Sequence, residues 1–499
     1  MIGEKLGHRL CYHHYGSGRR VLESRPLIGP PETGALPELV HEPATGATQR
    51  QQGGKIVRRL DRRRLLKLSG AGAIAASSGG IAAILASGRA PAYAQATALH
   101  WLRWSDFVPA SDQMLRAEIV PECEKALGIK LNLESINAND IQARITSAVQ
   151  SGSGADIILV VNNWPQLYAD SVVDVSDVAE AIGNAQGGYY EISKNVASDG
   201  KKWIGVPWSI SGGLLTNRKS WWDEIGYSEG KFPETWEEYR AAGKKLKAQS
   251  RPMGQSLGHT FGDPVVFWYP FLWSWGGKEL ETDGKTVALD SKETVESVKF
   301  AVGFWKDAYD EGGLAWDDSS NNRAFLSGTC SSTNNGASIY LEAKKKPETY
   351  LTEKGAPLWK DIFHTRLPKG PSGQFTFPFP FSDMVMGYSK NQKAAKEFLT
   401  WVHSKPVFEK WFTSQQGFTL GPTAQWQNHP LWQNDPVMLP FRSIADIGRA
   451  AGYAGRPSRA AAEVVTKYII TDMYAKAVQG MPAEDAVKWA HAELVKIYA

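Results

Sequence analysis

Residues 155–161 read ADIILVV, a continuous apolar run too short for a core helix. Such a run is expected where a strand is covered on both faces, as in a parallel sheet flanked by helices. Just upstream, Ile141, Ile145 and Val149 recur at spacing four, which predicts a helix over 141–149. Before it, IKLNLESI at 129–136 alternates apolar and polar residues, as a strand does. A helical pattern covers 114–127 and Gly128 stops it, while LHWLRW at 99–104 alternates again. Strand, helix, strand, helix, strand predicts an open α/β sheet. Ligands of such sheets lie beyond the carboxyl ends of the strands. Those ends are WSDF at 104–107 and NNWP at 162–165.

The chain has 499 residues, long enough for more than one domain. Its formal charge of +4 is unevenly placed. After residue 94 there are 42 basic and 46 acidic residues, a net charge of −4. A slightly acidic chain without a basic stripe argues against nucleic acid as partner.

The basic excess sits at the N-terminus. Residues 1–54 are rich in Pro, Gly and polar residues without periodicity, and are expected to be a disordered extension, with translation expected to begin later, near Val57. Then Arg62, Arg63 and Arg64 precede an uncharged Ala/Gly-rich run over 68–86, and APAYAQA at 90–96 offers an A-x-A cleavage pattern. A positive region, an apolar region and small residues at the cut make an export signal, and the paired arginines resemble a twin-arginine signal. Residues 55–94 are therefore expected to be a signal peptide, cleaved after Ala94, and the product periplasmic. Cys123 and Cys330 follow, and two free buried thiols are expected.

Further along, Gly213–Thr216 predicts a strand. Thr235 with Glu238 predicts a capping box opening a helix whose stripe is Tyr239, Ala242 and Leu246. Asp283-Gly284 predicts a hairpin turn between two short strands. Helices are expected over Ser291–Tyr309, Lys393–Val402 and 483–498.

IGVPWSISGGLLTNRKSWWDEIGYSEGKFPETWEEYRAAGKKL (204–246) resembles the extracellular solute-binding proteins of ABC importers. WSWGGKELETDGKTVALDSKETVESVKF (273–300), AFLSGTCSSTNNGASIY (324–340), GYSKNQKAAKEFLTWVHS (387–404), LGPT (420–423) and GMPAEDAVKWAHAEL (480–494) extend the resemblance in order. It implies a two-lobe periplasmic-binding-protein fold of type II, α/β in class, with a hinge of several interlobe crossings. Crossings are expected near Val206–Ser209, Thr329–Asn335 and Phe379–Asp383. Lobe one would be 95–207 with 330–379, and lobe two 208–329 with 380–499. The resemblance also implies a monomer, an ABC permease and its ATPase as partners, and no cofactor or metal.

All 19 tryptophans follow residue 94. An indole face suits the apolar face of a pyranose. Trp236, Trp305, Trp401 and Trp489 fall on helix stripes and are assigned to core. Trp104, Trp164, Trp208, Trp268 and Trp273 are the aromatic ligand candidates. Sugar hydroxyls need polar partners. Those candidates are Ser105, Asp106, Asn162, Asn163, Ser209, Asp263, Asn334, Asn335, Gly336, Ser382, Asp383 and Arg456. Asn163 stands where the maltose-binding branch carries an acid.

Catalytic motifs are not legible. The six histidines after residue 94 are scattered, there is no G-x-S-x-G, and Glu279 stands where a P-loop needs Gly. Asp317 and Asp318 are sequence neighbours, so their side chains are expected to point apart. The reading is a carbohydrate-binding component of an importer rather than an enzyme. The alternatives are a binding protein for a polyamine or glycerol phosphate, and an exported glycan-active enzyme.

Overall fold

The computed structural model describes residues 84–85, 97–228 and 230–499. The extension over 1–54 lies outside them, and so does nearly all of 55–94, including the arginine motif and the cleavage pattern.

Five strands form the first sheet: β1 (Thr97–Trp104), β2 (Ile129–Ile136), β3 (Ile157–Val161), β4 (Val206–Gly212) and β8 (Pro378–Val385). Their order is β2-β1-β3-β8-β4. β1 runs parallel to β2, Thr97 opposite Ile129 and Trp104 opposite Ile136, and parallel to β3. β8 runs antiparallel to both β3 and β4. All five residues of β3 are buried, which is why its sequence shows no polar alternation. A helical run from Pro109 to Leu127, with a π-helical turn over Leu115–Ile119, returns β1 to β2. The helix Ala138–Ser151 returns β2 to β3, with Asn137 accepting the Asn139 N–H at its start. Gly128 and Gly152 end these helices in left-handed conformation, φ +69° and +64°, which glycine adopts without strain.

A second sheet has three strands, β5 (Leu214–Arg218), β6 (Ser332–Asn335) and β7 (Ile362–Thr365), in the antiparallel order β6-β5-β7. The helix Asp263–Trp275 is buried over Asp263–Ser274, and the helices Trp236–Ala248, Lys292–Ala308 and Ile469–Val478 pack in the same half. The capping box at Thr235 is present. Asp283-Gly284 makes its turn, but only one bridge, Leu280 to Val287, joins the flanks instead of two strands.

The sheets correct the expected lobe boundaries. β4 extends through Gly212 in the first sheet, and β5 begins at Leu214 in the second, so the first crossing is at Gly213 and not at Val206–Ser209. A β-carbon there would meet the Asn334 side-chain amide at 2.7 Å, so any other residue would have to displace it. Ser332–Asn335 and Ile362–Thr365 are strands of the second sheet, so of 330–379 only the start of β8, Pro378 and Phe379, belongs with lobe one. The chain returns over residues 366–377, between β7 and β8. Phe379–Asp383 is the interior of β8. The helices Gln392–Val402 and Lys405–Ser414 then cover the first sheet, so 380–499 is divided between the halves. A third passage falls between Leu420, bridged to Ile210, and Asp435, which accepts from the Tyr340 hydroxyl. These junctions are loops of ordinary polarity, whereas the apolar strands on either side read alike whichever sheet they join.

The first half is cored by Trp101, Trp208 and Trp411, with the Arg103 guanidinium 4.3 Å from the Trp101 ring centroid and 4.5 Å from that of Trp208. Cys123 and Cys330 are free and buried, and burial pushes both thiols up to about 12.

Candidate functional site

The carboxyl ends of β1, β3 and β4 and the start of β8 share one edge of the first sheet. Opposite that edge stand the end of β6 and the N-terminus of the helix Asp263–Trp275. Between them is a cleft of about 490 Å³, solvent at its mouth included. Both halves line it: Trp104, Phe107, Ser211, Phe379 and Phe418 from the first, and Phe261, Asp263, Asp318, Asn335 and Ser338 from the second. It continues past Phe107 and Ser338 into a groove lined by Pro109, Leu341 and Lys345.

The apolar wall is built from rings that hold one another. Trp104 meets Phe381 at 4.8 Å between centroids, Phe107 at 5.5 Å and Phe261 at 6.0 Å. Phe261 meets Phe379 at 5.8 Å, and Phe107 meets Phe418 at 6.4 Å. Trp104 is placed by its strand: it ends β1, where the next residue leaves the sheet.

The polar wall is acidic. The backbone N–H of Asp263 donates to Asp318 Oδ1 at 2.7 Å, and that of Gly262 reaches both Asp318 oxygens at 3.2 Å. Asp318 therefore occupies the seat an anion would take at a helix N-terminus. Asp263 is different. It is 7% exposed, and its Oδ2 is buried with no partner among the described residues. Burial keeps its carboxyl protonated well above the usual carboxylate range, and repulsion from Asp318 and Asp317 adds to this. Burial also raises Asp318. Among the described residues no lysine, arginine or histidine lines the cleft itself, and Lys344 and Lys345 stand in the groove that continues it.

Four sequence candidates meet here: Trp104, Asp263, Asn335 and Gly336. Asn334 lies one residue away, its Nδ2 donating to the Val266 carbonyl at 2.9 Å. Ser105 is exposed beside the cleft. Asp106 instead ties down its own loop, accepting from Val108 N–H, Ser111 Oγ and Gln415 Nε2 at 2.7–2.9 Å.

The remaining candidates sit elsewhere. Trp208 is 0% exposed in the first core. Trp268 and Trp273, two of the aromatic ligand candidates, lie inside the helix Asp263–Trp275, 0% and 1% exposed. Asn162, Asn163, Trp164, Ser209, Ser382 and Asp383 are buried in or beside the first sheet, where Asp383 accepts from Trp101 Nε1 at 2.8 Å. Arg456 is exposed, with an Nη1 beside Gly200.

Sequence reasoning missed Phe107, Ser211, Phe261, Asp318, Ser338, Phe379 and Phe418. Phe107 stood within the WSDF strand end and Phe379 within an expected crossing, so both had a signal. Asp318 was weighed only as half of a catalytic pair.

A cleft between two α/β halves agrees with the comparisons. Residues 118–440, well over half of the chain, match the family described as bacterial extracellular solute-binding protein, and the chain belongs to that family. A binding protein of Brucella abortus (strain 2308) is 25% identical over 315 residues, 58% of this chain and 68% of its own length. Diacetylchitobiose binding protein DasA of Streptomyces coelicolor is 25% identical over 189 residues, 37% of this chain and 40% of its own. The maltose-bound MalE3 of T. maritima superposes with a TM-score of 0.66 at 18% identity, covering 80% of this chain and 99% of that one. A solute-binding protein of Thermotoga lettingae bound with α-D-tagatose gives 0.68 at 18%, covering 81% and 100%. At such identities the likeness is one of fold, and the fold is the expected type II binding-protein architecture.

Proposed function

We propose that the protein is the exported binding component of an ABC importer and that it captures a carbohydrate between its two halves. The observation that carries this reading is the cleft itself. An aromatic wall that can lie against the apolar face of a sugar ring stands opposite carboxylate, amide and hydroxyl groups that can pair with its hydroxyls. MalE3 and the Thermotoga lettingae protein hold maltose and tagatose on the same fold, and DasA is named for a disaccharide. Closure of the halves around the sugar, then docking on a permease driven by a cytoplasmic ATPase, is the mechanism that follows. The twin-arginine pattern supports export to the periplasm. No chemical step is needed, and the protein acts as a monomer that releases its ligand unchanged.

Glycerol phosphate fits poorly, because Asp318 already fills the helix N-terminus an anion would use. The test is a thermal-shift screen of the protein against neutral mono- and disaccharides, glycerol phosphate and spermidine. Binding to the folded state alone raises Tm by mass action. A rise of several degrees with a neutral or aminated sugar, abolished in Trp104→Ala, is expected. A rise only with glycerol phosphate or spermidine would discard the carbohydrate.

A further inference from the structure

The two carboxylates of the cleft are not equivalent, and the difference bears on the ligand. Asp318 is answered by the amides that open the helix Asp263–Trp275. The positive end of that helix is thereby matched. The Asp263 carboxylate is left over: it is nine-tenths buried, it lines the cleft, and its Oδ2 has no partner among the described residues. The one arginine paired with the neighbouring Asp317, Arg323, is two-thirds exposed and does not line the cleft.

A buried carboxylate without a partner is costly. When the cleft is empty, a proton held by Asp263 removes that cost. When a ligand fills it, the ligand has to supply the donor. A hydroxyl group would supply a hydrogen bond and leave the charge. An ammonium would supply both, and the flanking rings of Trp104, Phe261 and Phe379 are surfaces on which a desolvated cation is stabilised.

Building on the carbohydrate reading, we propose that the sugar taken by this cleft carries an amino group, seated as an ammonium on the Asp263 carboxylate. The ligand class is thus an amino sugar or a short oligosaccharide of one, rather than a neutral sugar or a sugar acid.

Matched pairs test this in the full chain. Glucosamine and glucose, galactosamine and galactose, mannosamine and mannose, and chitobiose and cellobiose differ at the amine. Calorimetric titration should show one aminated member binding about tenfold or more tightly than its neutral partner, as expected of a charge-assisted hydrogen bond. Asp263→Asn keeps the shape and removes the charge. It should melt at least as high as the parent and erase most of that preference, bringing the aminated member to within about threefold of its neutral partner in the same variant. Neutral sugars binding as well as their amines would overturn the amine proposal and leave the carbohydrate reading standing. A preference that survives in Asp263→Asn would also overturn it, because the amine would then be read elsewhere. No binding in any pair would overturn both.

Discussion

The two walls of the cleft are made differently. The first half contributes rings from four separate places: the end of β1, the loop after it, the start of β8 and the loop after the helix Lys405–Ser414. The second half adds the ring of Phe261 to that wall and otherwise contributes a helix N-terminus, a carboxylate that caps it, a second carboxylate beside it, and the end of β6. One wall is apolar and broad, the other polar and directional. A wall of rings provides area to any sugar face, whereas a wall of fixed polar groups discriminates among sugars. The division also explains why the tryptophans do not report the site in proportion to their number. In both halves most indoles stabilise a core, and Trp104 reaches the cleft because its strand ends there.

The sharpest way to break the comparison is to remove one indole of each kind. Trp208 touches Trp411 at 4.7 Å, Phe408 at 5.0 Å and His403 at 5.2 Å between centroids, and it is fully buried. Trp208→Ala is expected to cost about 3–5 kcal/mol. Chemical denaturation should show that loss, while the ligand affinity of the folded fraction stays near the parent value. Trp104→Ala should give the opposite division, a smaller fall in stability and loss of the ligand-induced rise in Tm. If Trp208→Ala instead abolished binding in protein that is still folded, the aromatic wall would extend into the first core.

Much of the fold was legible. LHWLRW and IKLNLESI alternate, ADIILVV does not, and all three are strands of the first sheet. DPVVFWYPFLWSW, residues 263–275, was not legible as a helix. It is apolar all round and carries Pro270 inside, so it offers no stripe of period 3.6. Hence Trp268 and Trp273 read as ligand candidates, whereas they are core. The cleft was half legible. Trp104, Asp263, Asn335 and Gly336 lie at element ends that sequence can locate. Phe261, Phe379 and Phe418 converge from distant loops, and only tertiary packing brings them together. Asp318 acts through a helix that sequence could not see.

The second half should also carry a distinctive pH response. Glu279 is buried just beyond the Asp263 helix, where Gly452 N–H donates to its Oε2 at 2.5 Å, and burial pushes the pKa of its carboxyl up to about 8. An acid raised in the folded state binds more protons folded than unfolded between its ordinary value and about 8. Stability therefore falls as pH rises through that window. Between pH 6 and 8 the loss should be about 2 kcal/mol. Glu279→Gln should flatten the curve of Tm against pH over that range. His403 in the first half has the opposite sense: burial lowers it to about 4, so its contribution is lost as pH falls from about 6.5. A parent curve that rises from pH 6 to 8 would contradict the role given to Glu279.

The smallest effect concerns how rigidly the polar wall is held from behind. The helix Trp236–Ala248 packs Trp236 against Phe271 of the Asp263–Trp275 helix at 4.8 Å between centroids. Its capping box has the Glu238 N–H donating to Thr235 Oγ1 at 3.3 Å and Glu238 Oε2 accepting from the Thr235 N–H at 3.4 Å. Thr235→Ala should cost about 1 kcal/mol, and Thr235→Ser should recover most of it. Because neither Thr235 nor any residue of its helix lines the cleft, ligand affinity should stay within about twofold when the halves act as separately braced walls. A tenfold loss of affinity in Thr235→Ala, restored by Ser, would mean that the position of Asp263 is set by the neighbouring helix and not by its own amides and Asp318 alone.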